Sequence, residues 1–503
     1  MTNRQLLSTL VFSALTTPVL SFSLSHQAFA STPVVTVKSP ANGSQNTSPV
    51  NYIASASSPD CAAGIAAMRI YSQPEAITYT VDADQLNVNV NFMEGSYSTV
   101  VQAWDNCGNV GKTTVDITVK GDTLPPPKFL YSTQYSAGKV AGYYFNYQNG
   151  ALFPIGQQPV WAHWGPSRIA SDSGGYRLYV ANQGSHDVSA YFIDRNYGYL
   201  NPVPGANFPT AGWSTDIAVH PSNHFIYVTT SDDDQSLPLS SNGVTALALQ
   251  SDGSLAPVPG SPYITSGEEF ALAIDPSGKY LYTTGVANDS AYTGVIDGYS
   301  IDQTTGALTP LPGSPFPIVP AKCQNCFPQE VFYDMAIDPS GKFLIGPGWE
   351  NGVIYVYKID SATGALTNVA GSPFIDGEPC SPGCPGYGPI SVTVSANDRF
   401  VFVQNELISE VMSYKLDSSS GTLTLEEGNY GPYNSFSLSE DCIRADPSGT
   451  LVFALGYDTS TQQGALMGWM VDQSNGSLAP VTGAPFADNI DLKYLGDGFA
   501  ITR

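Results

Sequence analysis

The chain has 503 residues, of which 42% are hydrophobic and only 12% charged, and it carries a formal net charge of −24. The length exceeds one average domain, and the many Gly (48), Pro (38) and Tyr (29) suit an all-β chain rich in turns. So acidic a balance excludes nucleic acid as a partner, because phosphate binding needs clustered Lys and Arg.

The N-terminus reads as an export signal. Arg4 supplies a positive start, Leu6 to Leu20 is mostly apolar, and Ala28-Phe29-Ala30 is a small-x-small cleavage site. Residues 1–30 are therefore expected to be a signal peptide cleaved near Ala30, leaving a secreted or periplasmic protein. No Cys follows that site, so a lipid anchor is not indicated. No later apolar run approaches the ~20 residues needed to cross a bilayer. The chain is not expected to be an integral membrane protein.

Residues 31–121 predict a small β-sandwich. The expected strands are 34–37, 51–54, 67–71, 78–81, 87–92, 98–104 and 113–119, separated by turns such as Pro40-Ala41-Asn42-Gly43. Cys61 and Cys107 fall in this segment and are expected to pair, since export permits disulfides. Asp105 and Asn109 stand in a tight turn, where Asx side chains ordinarily bond backbone groups rather than a cation. Ser39-Pro40-Ala41-Asn42-Gly43 and Ala103-Trp104-Asp105-Asn106-Cys107-Gly108-Asn109 resemble motifs of the immunoglobulin-like (Ig-like) domains of bacterial surface and secreted proteins. Residues 122–128, with Pro125-Pro126-Pro127, predict a stiff linker.

From residue 129 the chain repeats itself. Asp275-Pro276-Ser277-Gly278 leads into Tyr280-Leu281-Tyr282. The same device recurs at Asp338, at Asp446 and, as His220-Pro221-Ser222-Asn223, before Phe225; degenerate copies span 171–180 and 395–403. A second element is a Gly-small-Leu turn with a Pro-rich tail. Its glycines, Gly150, Gly198, Gly253, Gly306, Gly364, Gly421 and Gly476, recur about every 55 residues, a period that marks a repeat architecture. Five have an Asp four residues earlier: Asp194, Asp302, Asp360, Asp417 and Asp472. Seven glycines predict seven four-stranded blades, each burying its faces against its neighbours around a ring. The region opens on Phe129-Leu130-Tyr131, which reads as a second strand. Residues 490–495 are expected to supply the missing innermost strand and close the ring; this count does not place Phe499 to Arg503. The fold class is thus all-β: an N-terminal Ig-like β-sandwich followed by a seven-bladed β-propeller closed by a C-terminal strand.

The segments 306–316 (GALTPLPGSPF) and 274–282 (IDPSGKYLY) resemble the lactonase-type seven-bladed propellers over about residues 129–503. That family includes the propeller form of 6-phosphogluconolactonase and a muconate-lactonising enzyme, and secreted YVTN-type propellers look similar. The resemblance implies the fold and a lactonase-like activity, a carboxylic ester hydrolysis with a small-molecule lactone or carbohydrate as ligand. It implies no cofactor, and its motifs lie in turns and strands, so no catalytic residue is carried over.

A propeller site sits where loops from several blades meet at the channel mouth. Polar residues just before or early in each innermost strand are the candidates. They are His163, Trp164 and Arg168, with His186 and Asp187 on a nearby loop; Trp213 and Asp216; Glu268 and Glu269; Glu330 and Asp334; Tyr387; and Glu440, Asp441 and Arg444. Lactone hydrolysis needs a base to activate water and a donor for the developing oxyanion. His163 or His186, with Arg168, Arg444 and Glu330, meets that need; Trp164, Trp213, Asp216, Glu269, Asp334 and Glu440 would contact ligand. His220 and His224 fall on the opposite face. For each residue the alternative is plain solvation or charge pairing. Asp232-Asp233-Asp234 reads as a solvated acidic loop, and no metal is assigned. Cys323/Cys326 and Cys380/Cys384 are expected as two disulfides pinning loops at the mouth, a zinc site being the alternative. Cys442 is left buried and free. A lactone hydrolase, a non-catalytic extracellular protein that binds a protein or cell-surface partner, and a purely structural role all remain open.

Overall fold

A computed structural model describes residues 32–47, 50–72, 76–81, 83–90, 95–119, 129–146, 149–156, 159–195, 197–203, 205, 207–231, 242–250, 252–289, 291–320, 329–377, 388–426, 436–438, 442–458, 463–487 and 498–502. Every regular element among them is a β-strand. None is a helix long and apolar enough to cross a membrane. The chain divides into two compact units at Asp122.

The first unit has two sheets. Val34–Ser39, Val50–Ser57 and Gln85–Val90 form one; Ser44–Asn46, Val110–Val119, Gly95–Asp105, Ile65–Ser72 and Ala76–Val81 form the other. The strand Val50–Ser57 alternates buried and exposed residues, as one buried face requires. Val50, Tyr52 and Ala54 of the first sheet share a core with Met68, Ile70, Val101, Val115 and Ile117 of the second. Cys61 and Cys107 form a disulfide. The Asp105 carboxylate accepts the backbone N–H groups of Cys107 and Asn109, at 3.0 and 2.8 Å, together with the Ser58 hydroxyl and the Asn109 amide. Four donors saturate it, which explains the turn without a cation.

Among the described residues of the second unit, seven sheets follow one another along the chain. The second strand of each is a short run of large apolar residues, as in Phe225–Ser231, Phe343–Gly348 and Phe400–Asn405. All of their residues are buried, as expected for sheets covered on both faces. Each Asp-Pro-Ser-Gly segment turns the chain from the innermost strand into this second one. Asp446 caps its turn by accepting the N–H groups of Ser448 and Leu451, at 2.9 and 2.7 Å.

The repeated glycines join neighbouring sheets. Gly306 has φ +74° and its carbonyl accepts the Tyr227 hydroxyl of the preceding sheet at 2.8 Å. Tyr131 does the same to Gly198 at 2.8 Å and Tyr282 to Gly364 at 2.7 Å. A Cβ at Gly306 would lie 2.4 Å from Cδ1 of Phe225, and one at Gly476 equally close to Phe400. The spacing read in the sequence therefore reflects close approach between sheets as well as backbone conformation. Gly306→Ala is expected to destabilise the second unit by about 2–4 kcal/mol, combining a strained φ with an overpacked contact. A thermal unfolding midpoint unchanged from the parent would refute that.

The first of these sheets takes its innermost strand from the end of the chain. Phe499–Thr502 pairs with Phe129–Gln134, Ala500 lying opposite Tyr131. The strand that the sequence count left unplaced thus fills the position assigned to residues 490–495, which lie outside the described residues. Leu130 and Phe499 share a core with Leu451, Phe453 and Val481 of the seventh sheet. The apolar clusters run from sheet to sheet and not through one central core.

Candidate functional site

Four innermost strands carry a β-bulge at the same place. It lies between Pro166 and Arg168, Ser214 and Asp216, Glu269 and Ala271, and Pro389 and Ser391. Bulges re-aim the side chain that follows them. The residues just past the bulge are equivalent from sheet to sheet: Arg168, Asp216, Ala271 and Ser391. Strand register puts Asp334, Cys442 and Gly498 at the same level in the other three sheets. In six sheets this residue stands four positions before the first residue of the turn that follows. Two residues further on the equivalents are Ala170, Ala218, Ala273, Ala336, Thr393, Arg444 and Ala500. The side chains of that layer are small except for Arg444, which reaches Asp334 of another sheet.

The resulting cavity, about 350 Å³, is lined by Arg168, Asp216, Asp334, Cys442 and Arg444 over an alanine-rich stem. Nη1 of Arg444 donates to Oδ2 of Asp334 at 3.0 Å. The same oxygen accepts the Ser391 hydroxyl at 2.5 Å and the Val392 N–H at 3.2 Å, while Oδ1 accepts the Met335 N–H at 2.9 Å. Asp334 is thus a fixed anion that orients Arg444. Burial opposes the charge on Arg444, but Asp334, Cys442 and Asp216 together outweigh it and raise its pKa. Asp216 is bound more loosely. Its Oδ2 accepts the Leu272 N–H at 2.9 Å, and Oδ1 takes the N–H of its own neighbour Ile217 at 2.8 Å. Burial raises its pKa, with Arg168 acting in the opposite direction.

Other candidates lie elsewhere. The histidines do not line this cavity. His163 is half-exposed, its Nδ1 2.5 Å from Oδ2 of Asp187. Asn182 and Ser185 donate to the other oxygen of Asp187, at 2.8 and 3.0 Å. His186 adopts a positive φ of 55° in the turn before Asp187, and its ring lies 6.5 Å from that of Trp213. Trp164 is exposed. His220 is fixed in a turn, with Nε2 2.8 Å from the Gly278 carbonyl.

Glu330 does not line this cavity. It is fully buried and accepts the Glu350 N–H at 3.2 Å and the Asn351 amide at 2.8 Å. Burial, with Glu350 nearby, pushes its pKa up to about 9. Its carboxyl packs against Gly348 and not into the cavity beside the arginines. Glu269 is also fully buried rather than facing a ligand, and burial pushes it to about 8. Tyr387, Glu440, Asp441, Asp232 to Asp234, and Cys323, Cys326, Cys380 and Cys384 lie outside the described residues. Cys442 is buried and free. Sequence reasoning did not identify Ser391 as the clamp on Asp334 or the acid–base potential of Asp216; counting four back from each turn finds both positions.

Comparison with known proteins agrees with this architecture. The family model "Lactonase, 7-bladed beta-propeller" matches residues 116–207 and 334–431. The chain is similar to the lactonase-type propellers. A 6-phosphogluconolactonase of Yersinia pestis is 26% identical over 170 residues, which take in 32% of this chain and 46% of that protein. The corresponding enzyme of Serratia proteamaculans is 30% identical over 170 residues, 32% of this chain and 47% of the relative. The matched region therefore spans about half the length of these relatives. The crystal structure of a candidate 6-phosphogluconolactonase from Bacteroides fragilis superposes on 76% of this chain and 100% of its own, with a TM-score of 0.55 and 16% identity, a likeness of fold.

Proposed function

We propose that this chain is a lactonase-like hydrolase acting on a sugar lactone or a related cyclic ester in the channel cavity. The observation that carries the reading is the convergence of Arg168, Asp216, Asp334 and Arg444, from four different sheets, on one cavity. Asp216 in its ionised form takes a proton from water, and the hydroxide attacks the lactone carbonyl carbon. Arg444, oriented by Asp334, and Arg168 hold the oxyanion that develops. The ring C–O bond then breaks, and the leaving alkoxide takes back the proton from Asp216. The product is the open hydroxy acid. A base with a raised pKa suits the first step, because it accepts a proton from water more readily than an ordinary carboxylate.

The same reading takes the second unit as a seven-bladed propeller closed by Phe499–Thr502. It takes the first unit as an Ig-like spacer and residues 1–30 as an export signal. The seven successive sheets and the pairing of the last strand with Phe129–Gln134 support it. Purified protein assayed by proton release against γ- and δ-lactones, with and without a phosphate on the sugar, tests the activity. No turnover above the spontaneous rate on any of them refutes it.

A further inference from the structure

Apart from the cavity between Arg168 and Arg444, two indoles of the second unit stand at the surface. Trp161 and Trp164 are 62% and 64% exposed, far beyond the usual state of so large an apolar ring. Neither is loose. The six-membered ring of Trp161 rests on the turn at Gly138, where a Cβ would stand 3.1 Å from Cη2. The Trp164 indole lies against Gly184, where a Cβ would stand 2.8 Å from Cδ2 and Cε3. Gly165, at φ +66°, brings that loop within 2.8 Å of the Gly184 amide nitrogen, measured from the same constructed Cβ. Two glycine seats thus support two indoles from beneath and leave their outer faces bare. Between them in sequence stands His163, locked by Asp187. With Nδ1 engaged there, Nε2 is the ring nitrogen turned to a ligand. Beside Trp161 and His163 opens a cavity of about 780 Å³, to which Tyr191, Pro202 and Asn207 contribute. The Tyr191 hydroxyl donates to the Trp161 carbonyl at 2.7 Å and fixes the wall.

We infer that this rim is a carbohydrate-binding subsite, separate from the channel, that stacks pyranose rings on Trp161 and Trp164. A pyranose presents apolar C–H bonds on its faces and hydroxyls at its edge. Flat aromatic faces next to hydrogen-bonding groups, here His163 and Asn207, complement both. A cage for an organic cation would instead surround its guest with rings. These indoles are open on one side, and Asp187, the carboxylate that holds His163, is already engaged by His163, Asn182 and Ser185. Because the rings are pre-seated, little ordering accompanies binding.

The inference stands whether or not the channel hydrolyses lactones, and its test needs no turnover. Cellopentaose, maltopentaose and chitopentaose are titrated into the full chain, following tryptophan fluorescence and heat. Binding of at least one, weakened about tenfold or more by W161A and by W164A, is the expected result. Circular dichroism melts matching the parent show that each variant is folded; should W164A melt early, W161A decides alone. Absence of binding at millimolar sugar overturns the proposal, as does binding that both variants retain. A response to tetramethylammonium with none to the sugars overturns it too, and reassigns the rim to cations.

Discussion

Arg444→Gln is expected to lower kcat/KM at least about a hundredfold toward any lactone that the protein opens, while leaving the protein folded. Loss of one preorganised oxyanion donor has an effect of that order. The reason lies in how this arginine is placed. Its neighbours at the same level are Ala170, Ala218, Ala336 and Ala500, so nothing else in that layer delivers positive charge into the bore. Asp334 orients it at 3.0 Å and is held in turn by Ser391 and the Val392 and Met335 amides. Those three donors stay when Arg444 is replaced, and glutamine can still donate to Asp334, which limits the destabilisation. Asp216→Asn should be as damaging for a different reason. Its amide cannot take a proton, so activity should fall at every pH, and the acidic limb of the pH–rate profile should disappear. His163→Ala should leave kcat/KM within about twofold, since His163 does not line the channel cavity; a hundredfold loss in that variant would move the base to the histidine.

Glu269→Gln should stabilise the second unit at neutral pH and do nothing at pH 4. Burial, reinforced by the nearby Asp297, raises the Glu269 pKa from 4.5 to about 8. Between those values the folded state holds a proton that the unfolded state has released. Stability contributed by the neutral form is therefore complete below about 4.5 and declines as pH rises to about 8. The slope is about 1.4 kcal/mol per pH unit, so about 3 kcal/mol is lost by pH 7. Glutamine is neutral throughout and escapes that loss. Urea unfolding of parent and variant at pH 4, 5.5, 7 and 8 gives the comparison; parallel curves would show that Glu269 titrates normally. Glu330 should behave the same way, its window reaching about 9.

How much of this was legible in the sequence varies from residue to residue. The Asp-Pro-Ser-Gly turns and the seven glycines stand out because they are local. One needs an Asx cap four or five residues from its target, the other a positive φ, and both leave a mark at fixed spacing. The second strands were legible as apolar runs for the same reason. The site was only half legible. Arg168, Asp216, Asp334 and Arg444 were singled out as polar residues near innermost strands, but so were His163, His186, Glu269 and Glu330, which the structure sends elsewhere. Nothing in the string separates Asp334 from Glu330, four residues apart. One faces the channel and meets Arg444, 110 residues away; the other turns into the interface beside Gly348.

The sequence by itself determined an all-β chain with seven repeats and their turns. Those follow from composition and from interactions within a few residues. The tertiary structure alone decided that Phe499–Thr502 joins the first sheet, that four charges from four sheets share one cavity, and that the carboxyls of Glu269 and Glu330 are fully buried. Each of these depends on residues tens to hundreds of positions apart. Their meeting is set by bulges and by the stacking of whole sheets, for which a linear pattern has no period to show.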